Sequence, residues 1–171
     1  QIEIYFQECL VMKEEKYPIT QAVRFLREHK INFSVHQYEY IEHGGTEVAA
    51  NELGFPETAI VKTIVLEDEN RKPLIVIMHG DKEVSTKNLA RIINVKKITP
   101  CSPEIVTKHT GYIVGGTSPF GTKTKLPNYL ESSILNLDTA YINGGKRGFL
   151  VGINPNDIKS SLSATLVEVA V

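Results

Sequence analysis

Residues 74–78, Leu-Ile-Val-Ile-Met, form an unbroken apolar run, which reads as a strand buried on both faces. Just upstream, residues 60–66 are rich in β-branched side chains and read as a second strand, followed by a polar turn at 67–71. Helix signals surround this pair. Thr20 is an N-cap for a helix carrying Ala22, Val23, Phe25 and Leu26. Thr46 reads as the cap of a short helix that Gly54 and Pro56 stop near Leu53. Ser85 or Thr86 starts another through Ile93, and Ser102-Pro103 starts one that Gly111 ends.

The remaining signals are mostly for strands. Residues 33–40 alternate, which puts His36, Tyr38 and Tyr40 on one face. Residues 112–114 read as a short apolar strand. Residues 139–143 and 149–153 flank Gly144-Gly145-Lys146-Arg147-Gly148, a hairpin by its turn chemistry. Asn154-Pro155 opens a last helical turn, and residues 165–170 close with a strand. About seven strands and four or five short helices, mostly joined by hairpins, predict one mixed α/β domain.

The most informative segment is residues 111–127, where Gly115-Gly116-Thr117-Ser118-Pro119-Phe120-Gly121 is followed by Lys123 and Lys125. Glycines lack Cβ, so a ligand can approach their amides closely, and Pro119 stiffens the loop. Such a loop suits a carbonyl or phosphate oxygen with an anionic tail nearby; it also suits a tight turn that needs glycine for geometry alone. It is not a phosphate-cradling P-loop, because Thr122 stands where that motif requires lysine and no helix pattern follows.

Charge is uneven along the 171 residues, although the net charge is only −1. Residues 1–81 carry 8 Lys/Arg against 14 Asp/Glu (−6), residues 82–125 carry 8 against 2 (+6), and residues 126–171 carry 3 against 4 (−1). The middle segment can supply a positive field for a polyanion, or it can be a solvated face neutralised by acids from elsewhere. Gly144–Gly148 is likewise either a hairpin tip or a cationic edge for a phosphodiester backbone. Lys62 shares a strand face with Ile60, Ile64 and Leu66, so it must snorkel to an edge or meet an anion.

Other chemistry is not signalled. His29, His36, His43, His79 and His109 show no metal-ligand spacing, and Ser118 lacks the Gly-x-Ser-x-Gly elbow. No apolar run approaches the ~18 residues of a membrane span, and the amino end lacks a signal-peptide pattern. Cys9 and Cys101 are far apart and point to a reducing cytoplasm. Ile4-Tyr5-Phe6-Gln7 resembles the remnant of an expression tag, so residues 1–11 are set aside and 12–171 are taken as the domain.

Taken together, these motifs resemble the YbaK/EbsC family of free-standing aminoacyl-tRNA deacylases, which are similar to the editing domain of bacterial prolyl-tRNA synthetases. The resemblance rests on Phe33-x-x-His36-x-Tyr38, Val61-Lys62-Thr63, Thr110-Gly111-Tyr112, Gly115-Gly116-x-Ser118-Pro119-x-Gly121 and Gly144–Gly148, in order over residues 19–169. It implies a barrel-like mixed sheet flanked by helices. It also implies removal of cysteine from mischarged tRNA(Pro), by positioning and carbonyl polarisation without cofactor or metal. In Cys-specific members the substrate thiol attacks its own ester and leaves as a cyclic thiolactone.

The residues follow from the same resemblance. Lys62 matches the essential lysine, Gly115 a glycine whose backbone lies against the aminoacyl group, and Tyr38 a pocket tyrosine. Gly116, Ser118, Pro119 and Gly121 are expected at the substrate, and Lys123, Lys125, Lys146 and Arg147 at the RNA. The implied partners are the 3′ aminoacyl end of tRNA and a prolyl-tRNA synthetase. One position departs: Cys-specific members often carry aspartate two residues after the Gly-Lys-Arg-Gly turn, where this chain has Leu150. Alanine or another small residue, removed by water, is the alternative, and a non-catalytic tRNA-binding module or a small-molecule hydrolase are rivals of another class.

Overall fold

The two apolar stretches become neighbouring antiparallel strands, β2 (Val61–Asp68) and β3 (Pro73–His79), with β1 (Ser34–Gln37) preceding them in the chain. The computed structural model describes residues 16–171, so the expected tag remnant, Met12 and Cys9 lie outside the described residues. The other strands are β4 (Ile98–Pro100), β5 (Asn128–Glu131), β6 (Ala140–Lys146), β7 (Phe149–Ile153) and β8 (Thr165–Val167). They form one sheet in the order β4-β2-β3-β5-β8 and another in the order β1-β7-β6. The expected mixed α/β domain is thus observed, with eight strands among the described residues.

Strand β3 is covered on both faces, as its composition requires. Ile75 and Ile77 enter a core with Val61, Val65, Ile142, Phe149 and Val151, which come from both sheets. Leu74, Val76 and Met78 point the other way, into a core with Leu66, Leu89 and Ala90. The two sheets enclose the first core between them, and Ile60 and Tyr141 make an isolated parallel bridge. They are not closed into a complete barrel.

Helix ends follow side-chain chemistry. Helix α1 (Gln21–Glu28) starts where Thr20 accepts from the Val23 amide at 3.1 Å. Helix α2 (Gly45–Leu53) ends at Gly54, whose φ of 74° suits glycine. Ser85 caps α3 (Thr86–Ile92), Ser102 caps α4 (Pro103–Thr110), and Asn154 caps α5 (Pro155–Leu162).

Four local expectations are corrected. Thr46 does not cap α2, which begins after Gly44 without a side-chain cap; its hydroxyl lies 2.9 Å from Glu57 and 3.1 Å from the Gly80 carbonyl. Residues 112–114 are not a strand: the chain turns there, and no ladder partner exists among the described residues. The 33–40 strand stops at Gln37, because the chain leaves β7 at the Arg147-Gly148 turn, where the Tyr38 amide donates to the Gly148 carbonyl at 2.9 Å. Hairpins are fewer than expected, since β3 with β5 and β5 with β8 pair in parallel. Periodicity reports a strand's burial, not its partner.

Glu131 is a buried carboxylate that the sequence did not signal. It is 3% exposed and accepts from the Val169 and Ala170 amides at 2.6 and 3.0 Å. Through them it seats the segment that pairs with residues 83–85. Glu131→Ala strands two amides and is expected to lower stability by about 3 kcal/mol, read as a fall in the urea midpoint. A loss under about 1 kcal/mol would show that these bonds are replaced by water.

Candidate functional site

The glycine loop takes its shape from a turn and from a hairpin pressed against it. After Gly111 ends α4, Tyr112 is buried and its hydroxyl donates to the Phe120 carbonyl at 2.6 Å, with burial pushing its pKa up to about 12. The Gly116 amide and the Thr117 hydroxyl both donate to the Ile113 carbonyl, at 2.9 and 3.1 Å, which closes the turn. Gly115 sits at its tip with φ of 88°, where a side chain would be strained and a Cβ would lie 2.6 Å from the Tyr40 hydroxyl.

The β6–β7 hairpin holds this tip from below. The Asn143 amide donates at 3.2 Å to both the Gly115 and Lys146 carbonyls, while its oxygen accepts from the Gly145 amide at 2.7 Å. Arg147 donates from Nε to the Val114 carbonyl at 3.0 Å, and its guanidinium lies 4.9 Å from the Tyr40 ring centroid. The carbonyls of the tip are therefore engaged. The Gly115 amide donates to no other described residue.

Beside that amide opens a cleft of about 670 Å³. Lys62, from the start of β2, lines it with its ammonium 3.3 Å from Glu83. The Lys62 side chain is 25% exposed and Glu83 is 80% exposed, so the pair is worth about 1 kcal/mol or less and the ammonium can exchange partners. Of the two alternatives for this lysine, the contact observed is with an anion, Glu83. Ala49, Ile60 and Leu150 form an apolar wall. The uncapped first turn of α2, from Gly45 to Glu47, borders the opening.

Tyr38 and Tyr40 complete the wall. Burial, with smaller contributions from Tyr40 and Glu52, raises the Tyr38 pKa, so its hydroxyl stays protonated at neutral pH and can donate. Cys101 also lines the cleft; burial, the charge of Glu67 and a 3.8 Å contact with that carboxylate raise its pKa to about 11. Among the described residues, no group of three or more His, Cys, Asp or Glu side chains is placed to hold a metal ion.

Of the expected site residues, the cleft gathers Lys62, Gly115 and Tyr38 from three distant segments. Gly116, Ser118, Pro119 and Gly121 are not in its lining. A Cβ on Gly116 would meet the Arg147 backbone at 2.9 Å, and one on Gly121 would meet the Gln21 carbonyl at 2.7 Å, so these glycines permit close packing. Ser118 is fully buried and its hydroxyl accepts from the Phe120 amide at 3.3 Å. Lys123 and Lys125 are exposed but border no part of the cleft. Lys146 and Arg147 line a separate hollow of about 330 Å³ with Lys16 and Tyr17, and Tyr38 separates it from the cleft.

The sequence reading missed Asn143, Glu83 and the contact of Tyr40 with Arg147. Only Asn143 carried a signal: an asparagine before two glycines bonds its own turn, leaving its amide nitrogen to reach outward. The other contacts join residues 21 and 107 positions apart.

Residues 44–160 match the family described as the aminoacyl-tRNA editing domain. The EbsC protein of Enterococcus faecalis, named as a candidate Cys-tRNA(Pro)/Cys-tRNA(Cys) deacylase, is 28% identical over 158 residues, covering 92% of this chain and 96% of its own length. The proline–tRNA ligase of Thermodesulfovibrio yellowstonii is 28% identical over 127 residues, which are 73% of this chain and 21% of the ligase. A solved structure described as a candidate trans-editing enzyme for prolyl tRNA synthetase has the same fold, with a TM-score of 0.78 at 22% identity over 91% of this chain and 99% of that one.

The raised Cys101 pKa has a measurable consequence. At pH 8 only about one thiol in a thousand is ionised, against about a quarter for an ordinary cysteine. Alkylation at Cys101, resolved by peptide mass mapping, should therefore rise about tenfold per pH unit from 8 to 10 and level only above about 11. A plateau by pH 9 would mean that Glu67 and burial do not hold the proton.

Proposed function

This chain belongs to the aminoacyl-tRNA editing domain family, and we propose that it is a deacylase acting in trans on mischarged tRNA. Cysteine on tRNA(Pro) is the proposed principal substrate. The observation that carries the reading is the convergence on one cleft of Lys62, Tyr38 and the Gly115 amide, which has no partner among the described residues. The name of the EbsC relative supports cysteine, and the prolyl-tRNA synthetase relatives support tRNA(Pro), with a synthetase as a further proposed partner.

In this reading the ester carbonyl oxygen accepts from the Gly115 amide, which Asn143 and Arg147 hold in place before substrate arrives. A donor fixed in advance stabilises the developing oxyanion without reorganisation cost. Lys62 releases the exposed Glu83 for a phosphate of the terminal nucleotide, so the 3′ end is anchored while the acyl group faces the glycine tip. Tyr38 closes the wall beside them. With cysteine bound, its sulfur attacks the carbonyl carbon; the C–S bond forms as the ester C–O bond breaks. The ribose oxygen leaves and takes the proton that the thiol gives up, which yields a cyclic thiolactone and free tRNA. The enzyme need only hold a near-attack geometry.

A second reading is favoured by Leu150. It is 4% exposed against Ala49 and Ile60 in the cleft wall, where Cys-specific members of the family by resemblance often carry aspartate. An aliphatic wall suits alanine, whose ester must be hydrolysed by water because it has no thiol. Incubation with Cys-tRNA(Pro) and Ala-tRNA(Pro) separates these cases. Thiolactone from the first supports the principal reading, free alanine from the second supports the alternative, and no acceleration on either leaves a binding module.

Two variants test the site. Lys62→Ala is expected to lose at least about 100-fold in deacylation while its unfolding midpoint stays near wild type, since a partly exposed lysine adds little to stability. Gly115→Ala is expected to lose activity similarly and about 1–2 kcal/mol of stability, from its left-handed φ and the contact with Tyr40. Unchanged turnover in either variant removes that residue from the mechanism.

A further inference from the structure

The basic middle segment of the chain is not used up at the cleft. Four of its cations, Lys87 and Arg91 on α3 with Lys96 and Lys97 before β4, line a shallow groove of about 440 Å³. We propose that this groove binds the phosphate backbone of an RNA duplex, the stem behind the aminoacylated 3′ end; the proposal rests on the editing function above. Lys87 and Arg91 are four residues apart, so they lie on one helix face. No carboxylate lines the groove, and among the described residues the lysine or arginine paired with a carboxylate is Lys62, with Glu83, so none of the four cations is neutralised by a direct partner.

The acid nearest in sequence contacts is Glu69, and it is committed to backbone. Its carboxylate accepts from the Lys96 and Lys97 amides at 3.1 and 3.4 Å, which fixes the turn that presents both lysines. Asn94 supports the same turn with φ of 59°, and the Val95 amide donates to the Ala90 carbonyl at 2.9 Å. The cations are thus mounted on a braced surface.

The groove and the cleft have no lining residue in common, but their linings come close along the chain in two places. Glu83 lines the cleft and Thr86 the groove, three residues later; Ile98 lines the groove and Cys101 the cleft, again three residues later. In the proposal, a ligand whose end enters the cleft lays its following segment along this surface. The lining contains no aromatic ring on which an unpaired base could stack, whereas the hollow beside Tyr38 contains Tyr17 and Phe149. Four spread cations without a buried polar contact suit a line of phosphates, not one trapped anion.

The test compares wild type with the combined variant K87A/R91A/K96A/K97A on two substrates: a full mischarged tRNA and a short aminoacylated single strand. The variant should raise KM for the tRNA at least about tenfold, leave kcat unchanged, and lower the slope of log affinity against log salt by about 3.6. Turnover of the short strand should not change, and the thermal midpoint should stay near wild type. Equal losses on both substrates, or none on the tRNA, would overturn the proposal. If wild type deacylates neither substrate, the editing function fails instead, and the groove is then decided by binding: an uncharged acceptor-stem hairpin should bind wild type and not the variant, and equal binding by both overturns it.

Discussion

The site depends on one contact, the β6–β7 hairpin pressed against the underside of the glycine loop. Asn143 and Arg147 bind the carbonyls of Gly115 and Val114, and Arg147 also stacks on Tyr40. With those carbonyls engaged by the hairpin, the loop tip is held at the wall of the cleft. A flexible glycine pair would otherwise lose considerable conformational entropy on meeting a ligand. Here that ordering is completed during folding, by contacts within the protein.

The surrounding fold supplies the other two walls. Strand β3, buried on both faces, fixes β2 beside it, and β2 carries Lys62 to the rim. Tyr38 follows β1 and is drawn to the hairpin by the Gly148 carbonyl. The site therefore sits where the two sheets approach each other, close to the Ile60–Tyr141 bridge. Residues from 38 to 150 line one cleft without any local sequence motif joining them.

Local chemistry was legible wherever one residue decides one backbone feature. Thr20, Ser85, Ser102 and Asn154 cap helices as read, because a short oxygen-bearing side chain satisfies the amides of the following turn. Thr46 was misread for the same reason: its hydroxyl had better partners in Glu57 and Gly80, brought close only by the fold. Tyr112 to Val114 looked like a strand by composition, yet Tyr112 is buried by the loop it helps to close while Ile113 and Val114 remain exposed.

Residue identity alone determined that the chain has one strand buried on both faces, capped helices, a glycine-rich tip able to hold φ of 88°, and an isolated lysine on an apolar face. These are short-range properties, set by side-chain volume, branching and hydrogen-bonding capacity. Tertiary structure alone decided that Lys62, Tyr38 and Gly115 share a cleft, that Gly116 and Gly121 serve packing, and that the basic segment becomes a braced groove. Those outcomes depend on which sheet edges meet and which carbonyls remain unpaired, and burial energy, which is non-directional, does not encode them locally.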